Sequence, residues 1–111
     1  MIQIIGTKKC KETAKAIRAL KERGISYQFV DLNERTLSDG EWNNIFQHYE
    51  PSSLIDTNSK IYKKKGFSYM VFDAREELVE NPLLLITPIL REKGKVHKGF
   101  DLNIVNEWSA K

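Results

Sequence analysis

The sequence predicts an α/β domain: a mixed four-stranded sheet with a helical insertion between its second and third strands. Three observations predict it. A short apolar strand, an amphipathic helix and a second strand follow one another within the first 32 residues. A central stretch then carries helix caps and helical apolar spacing in place of strand alternation. Near the C-terminus two short strands meet at a Gly-containing turn and are followed by a last helix.

Ile2–Ile5 reads as a buried strand. Ala14, Ile17 and Leu20 recur at helical spacing beside Ala16 and Ala19, and Gly24 suits the position just past the helix end. Ser26–Leu32 places Tyr27, Phe29 and the pair Val30/Leu32 in strand alternation. Strand, helix and strand in that order make a βαβ unit with a parallel strand pair. Ser38 and Glu41 form a capping box, and Trp42, Ile45, Phe46 and Tyr49 follow on one helix face until Glu50-Pro51 ends it. The stretch Ser52 to Tyr69 is expected to be helical in pieces, with apolar pairs at Leu54/Ile55 and Ile61/Tyr62. Asp73 with Glu76 reads as a second capping box, opening a helix to about Glu80 that Asn81-Pro82 stops. Ile89–Arg91 and Lys95–His97 are strands joined at Glu92-Lys93-Gly94. Asp101 caps the final helix, which carries Leu102, Val105 and Trp108, with Phe100 placed to staple onto Val105.

The order β-α-β, helical insertion, β-β-α is the thioredoxin-like (glutaredoxin-like) plan. Residues 1–35 and 83–111 would form its core and residues 36–82 the insertion. In that plan a proline opens the third strand, usually after a cis bond, beside the reactive centre. Thr87-Pro88 occupies the slot.

Ligands of such sheets sit beyond the carboxyl ends of the strands, near the following helix N-terminus. Cys10, the single cysteine, lies there. Unpaired N–H groups and the positive helix end favour a thiolate, and the thiolate is the nucleophile. The N–H groups of Lys11 and Glu12 are the donors the spacing suggests, and Lys8, Lys9 and Lys11 add positive charge. Glu12 opposes it. Thr13, one turn along, has two readings: a hydrogen bond to the sulfur, or plain helix surface. Cys10 likewise has a bland reading as a small inert hydrophobe.

Composition narrows the classes. The chain has 111 residues, 41% of them hydrophobic, and a formal net charge of +3. That suits a single domain with one core. No apolar run reaches the ~18 residues of a membrane span. The Lys63-Lys64-Lys65 run reads as a solvated helix end, so direct nucleic-acid binding is not expected. With no signal-peptide pattern and no second cysteine to pair, a cytoplasmic location is expected. His48 and His97 with one cysteine form no metal-ligand pattern, and no bound cofactor is implied. His48, at a helix end, reads as structural.

Four markers carry a family resemblance: the loop ending in Cys10, Asp56–Lys63, Asn81–Ile89 and Val96–Asp101. In this order and spacing the chain resembles the arsenate reductase ArsC/Spx family of thioredoxin-fold proteins. The resemblance implies a nucleophilic Cys10, with Lys11, Thr13, Thr87, Pro88 and Lys98 binding substrate or shaping the site. It implies glutathione as co-substrate, or a thiol–disulfide protein as partner. Family arsenate reductases hold the oxyanion with three arginines; the matching positions here carry Asp56, Thr87 and Lys98, with Lys60 the nearest alternative cation to Asp56. One acid, one neutral residue and one lysine lack the bidentate fork suited to arsenate, which disfavours that substrate. The Spx branch implies a different class: a regulator that binds a protein such as RNA polymerase without turnover. Many of its members carry a Cys-x-x-Cys switch, but this chain reads Cys10-Lys11-Glu12-Thr13, so no internal disulfide can form.

Overall fold

A computed structural model describes residues 1–66 and 72–109. The chain divides into two compact units, residues 1–35 with 87–111, and residues 36–86.

The first unit holds β1 (Ile2–Gly6), α1 (Lys11–Glu22), β2 (Tyr27–Asp31), β3 (Ile89–Glu92), β4 (Lys95–Lys98) and α5 (Leu102–Ser109). Its four strands are ordered β2-β1-β3-β4. β1 pairs parallel with β2, while β3 runs antiparallel to both β1 and β4. This is the mixed thioredoxin-like sheet that the element order predicts. Alternation along β1 sends Ile2 and Ile4 to one face, where they meet Ala16 and Leu20 of α1, Leu90 of β3 and Val105 of α5. Phe100 packs against that cluster from just before the last helix, as a hydrophobic staple does.

Local chemistry ends these elements where the residues say it should. Gly24 has φ +65°, its N–H donates to the Lys21 carbonyl, and the Ile25 N–H donates to that of Leu20. That is a Schellman ending to α1. The β3–β4 turn is made by Lys93 and Gly94, both at positive φ, the pattern of a two-residue hairpin turn that matches strand twist. The Asp101 carboxylate accepts from the Asn103 N–H at 2.8 Å and so opens α5.

The second unit holds α2 (Asp39–His48), α3 (Lys60–Lys65) and α4 (Ala74–Glu80), with 3₁₀ turns at Pro51–Leu54 and Pro82–Leu84. The Ser38 capping box is complete: its Oγ accepts from the Glu41 N–H, and the Glu41 carboxylate accepts from the Ser38 N–H. At Asp73 only one arm forms. Its carboxylate accepts from the Glu76 N–H at 3.1 Å, and the Glu76 side chain makes no return bond among the described residues. Trp42, 2% exposed, anchors this unit and stacks on Phe46, over which the Arg75 guanidinium sits at 5.2 Å. Leu85 bridges to Ile55, the Ile86 N–H donates to the Leu54 carbonyl and the Asp56 N–H to that of Leu84, so residues 84–86 pack here. Of the stretch expected to be helical in pieces up to Tyr69, the part after Gly66 lies outside the described residues. Among the described residues no helix is long and apolar enough to cross a membrane.

Candidate functional site

Cys10 is the N-cap of α1, immediately before the first helical residue. The loop behind it is closed by its own N–H, which donates to the Thr7 carbonyl at 3.2 Å. Its carbonyl accepts from the Ala14 N–H and starts the helical ladder. The side chain is half-buried, and as a thiol it donates to the Thr87 carbonyl at 3.6 Å. The Thr87-Pro88 bond is cis, and Pro88 is buried.

Burial pushes the Cys10 thiol up, but hydrogen bonds offered to its ionised form more than offset it. They come from the side chains of Thr13 and Thr87, then from the backbone N–H groups of Thr13 and Glu12. The net direction is down, toward thiolate at lower pH than an ordinary cysteine. The backbone donors stand one residue further along than the sequence suggests: Glu12 and Thr13 replace Lys11 and Glu12. The physical reason is the N-cap position, whose side chain faces the N–H groups two and three residues on. The neutral thiol takes no capping bond from them, so they act on the charged form.

Thr13 is not helix surface. It is 0% exposed, and its Oγ1 has no hydrogen-bond partner among the described residues. An unpaired buried hydroxyl costs about 1–3 kcal/mol, and an ionised sulfur is the acceptor that would relieve it. Thr13 fits because β1 ends in glycine. A Cβ on Gly6 would lie 2.3 Å from Thr13 Oγ1 and 2.7 Å from its Cγ2. Gly6 is thus a site-shaping residue that periodicity does not reveal; its signal is a glycine at the end of a buried strand, a common mark of close backbone approach.

The lysines contribute less than their number suggests. Lys8, Lys9 and Lys11 are exposed to solvent, which screens them, and none is among the causes of the downward shift at Cys10. Lys8 instead pairs with Glu34 at 3.9 Å. Lys98 stands opposite Ile89 at the end of β4, beside Gly99, whose N–H donates to the Pro88 carbonyl at 2.8 Å. The His97 ring is held by the Gly99 carbonyl at 3.0 Å, and His48 Nδ1 lies 3.0 Å from the Asn44 carbonyl of its own helix. Asp56, in the second unit, closes a turn by accepting from the Asn58 N–H. Cys10, Thr13, Thr87 and Pro88 therefore form the cluster, with Lys98 at its strand edge. Among the described residues no group of three His, Cys, Asp or Glu could hold a metal ion.

No protein-family model and no curated protein matches the chain. Solved structures do. An arsenate reductase (ArsC)-related protein from Brucella melitensis matches with TM-score 0.70 at 23% identity, covering 96% of this chain and 92% of that one. The arsenate reductase from Vibrio cholerae matches with TM-score 0.77 at 20% identity, covering 96% and 95%. A protein from Staphylococcus aureus matches with TM-score 0.74 at 24% identity, covering 99% and 100%. Over almost its whole length, the chain shares its fold with arsenate reductase (ArsC)-related structures.

Proposed function

We propose that the chain is a monothiol oxidoreductase that acts through Cys10 with glutathione as co-substrate. The observation that carries this reading is the set of hydrogen-bond donors at the sulfur, which hold Cys10 below the ordinary thiol value. The Cys10 thiolate attacks one sulfur of a substrate disulfide. A Cys10–substrate disulfide forms, the substrate S–S bond breaks, and the other sulfur leaves as a thiolate. A glutathione thiolate then attacks the mixed disulfide, takes the substrate sulfur and returns Cys10 to thiolate. Because the chain has one cysteine, the second thiol must come from outside. Arsenate is a disfavoured substrate, since Thr87 and Lys98 supply no planar bidentate fork.

The test is trapping. Incubation with a glutathionylated peptide should give one adduct, on Cys10, by intact mass and fragmentation, and added glutathione should remove it. Absence of any adduct on the folded protein contradicts the reading. A role confined to binding a protein partner would then stand ahead, and it should persist in a Cys10→Ala variant.

A further inference from the structure

Beside α1 lies a cleft of about 380 Å³ that the chemistry at Cys10 does not use. Thr7 and Thr13, both partners of Cys10, are among the residues that line it. Ala14, Ile17, Arg18 and Lys21 line it along α1, and Phe29 of β2 forms the facing wall. These four helix positions are spaced 3, 1 and 3 apart, so they share one helical face. Ile17 also packs against the core, which makes the apolar floor a fixed part of the fold.

The cleft's charge is one-sided. Lys8, Arg18 and Lys21 line it, and among the described residues no acidic side chain does. Lys8 has a weak exposed pair with Glu34, whereas Arg18 and Lys21 make no ion pair among the described residues. An apolar floor between cations fits a ligand with an apolar group and, further on, negative charge. At 1.5 Å per residue, Arg18 and Lys21 lie about 12 and 17 Å along the helix from Cys10, and helical side chains lean back toward the N-terminus. An extended peptide covers that span in roughly three to five residues. Glutathione has a single residue on each side of its cysteine and stops well short of Lys21.

We infer that this cleft selects the disulfide substrate of Cys10: an extended protein segment with an apolar side chain near its cysteine and Asp or Glu roughly three to five residues away. The inference rests on the thiol-exchange reading of Cys10 and adds the class of substrate. Thr13 joins the two places: it lines the cleft, and its buried hydroxyl, unpartnered beside the neutral thiol, is a donor to the sulfur once Cys10 ionises.

The experiment uses short peptides activated as thiopyridyl mixed disulfides, with a leucine near the cysteine and a distal pair of Glu, Gln or Lys. Both sequence directions are made. Each rate of attack by the full chain is divided by that protein's own rate with neutral dipyridyl disulfide. The Glu peptide in one direction should react about tenfold faster than its Gln counterpart, and the Lys peptide more slowly, with the preference fading as salt rises. In an Arg18→Glu/Lys21→Glu variant the order should collapse or invert. Equal rates for Glu and Gln peptides, or a preference that survives the double variant, overturn the inference while leaving the chemistry of Cys10 intact. If dipyridyl disulfide is not attacked at all, the functional reading fails. The cleft is then read by fluorescence anisotropy, with Cys10→Ser protein and labelled peptides carrying serine for cysteine. Acid-selective binding lost in the charge-reversed variant supports the cleft, and no selectivity overturns it.

Discussion

Gly6→Ala is expected to destabilise the chain by about 1–3 kcal/mol and to displace Cys10 from its donors. The added methyl would lie 2.3 Å from Thr13 Oγ1. Thr13 is buried and β-branched, so it has no free rotamer into which it can retreat. The helix start must move instead, and Cys10 is its N-cap. Thermal or urea denaturation measures the loss, and a double-variant cycle identifies its cause. Thr13→Ala removes the two atoms in closest conflict and leaves only Cβ, 3.1 Å away. Gly6→Ala/Thr13→Ala should therefore be less destabilised than the sum of the two single changes. Strict additivity would show that the clash is not the origin.

Cys10→Ser should abolish thiol–disulfide exchange, with a loss of at least about 10³-fold, because a serine hydroxyl cannot replace a thiolate as nucleophile at neutral pH. The fold should not suffer. Cys10 sits at an N-cap and takes no capping bond as a thiol, whereas serine is among the preferred residues there. The variant is expected to be as stable as the parent or up to about 1 kcal/mol more stable. Stability and turnover should thus move in opposite directions, measured by denaturation and by glutathione-dependent reduction of a mixed disulfide. Residual exchange within tenfold of the parent would contradict a role for Cys10.

Much of this architecture is legible in the sequence because local chemistry and tertiary fold agree. Ser38 with Glu41, Gly24 after α1, Lys93-Gly94 between β3 and β4, and Asp101 before α5 each solve a backbone problem with the expected residue type. Placement is harder to read where contact with a distant element decides it. Thr13, one turn from Cys10, reads equally as a partner of the sulfur or as helix surface until β1 is seen to end under it at Gly6. The donors shift by one residue because the pattern does not distinguish an N-cap from a first helical residue. The cleft is hidden for a related reason. Ala14, Ile17, Arg18 and Lys21 mix apolar and charged residues on one face, and only Phe29 from β2 turns that face into a wall. Asp73 and Glu76 have the spacing of a capping box, yet only the Asp73 arm is made. Spacing permits such a bond; the backbone entering the helix decides whether it forms.

In the proposed mechanism hydrogen bonds, with Thr13 foremost among them, poise Cys10 as a thiolate. The pH dependence of its alkylation by iodoacetamide tests this most directly, with Thr13→Val as the comparison. A midpoint below the ordinary thiol value of about 8.5, moving upward in Thr13→Val, is the predicted result. A midpoint at or above that value, or one that Thr13→Val leaves unmoved, would contradict it.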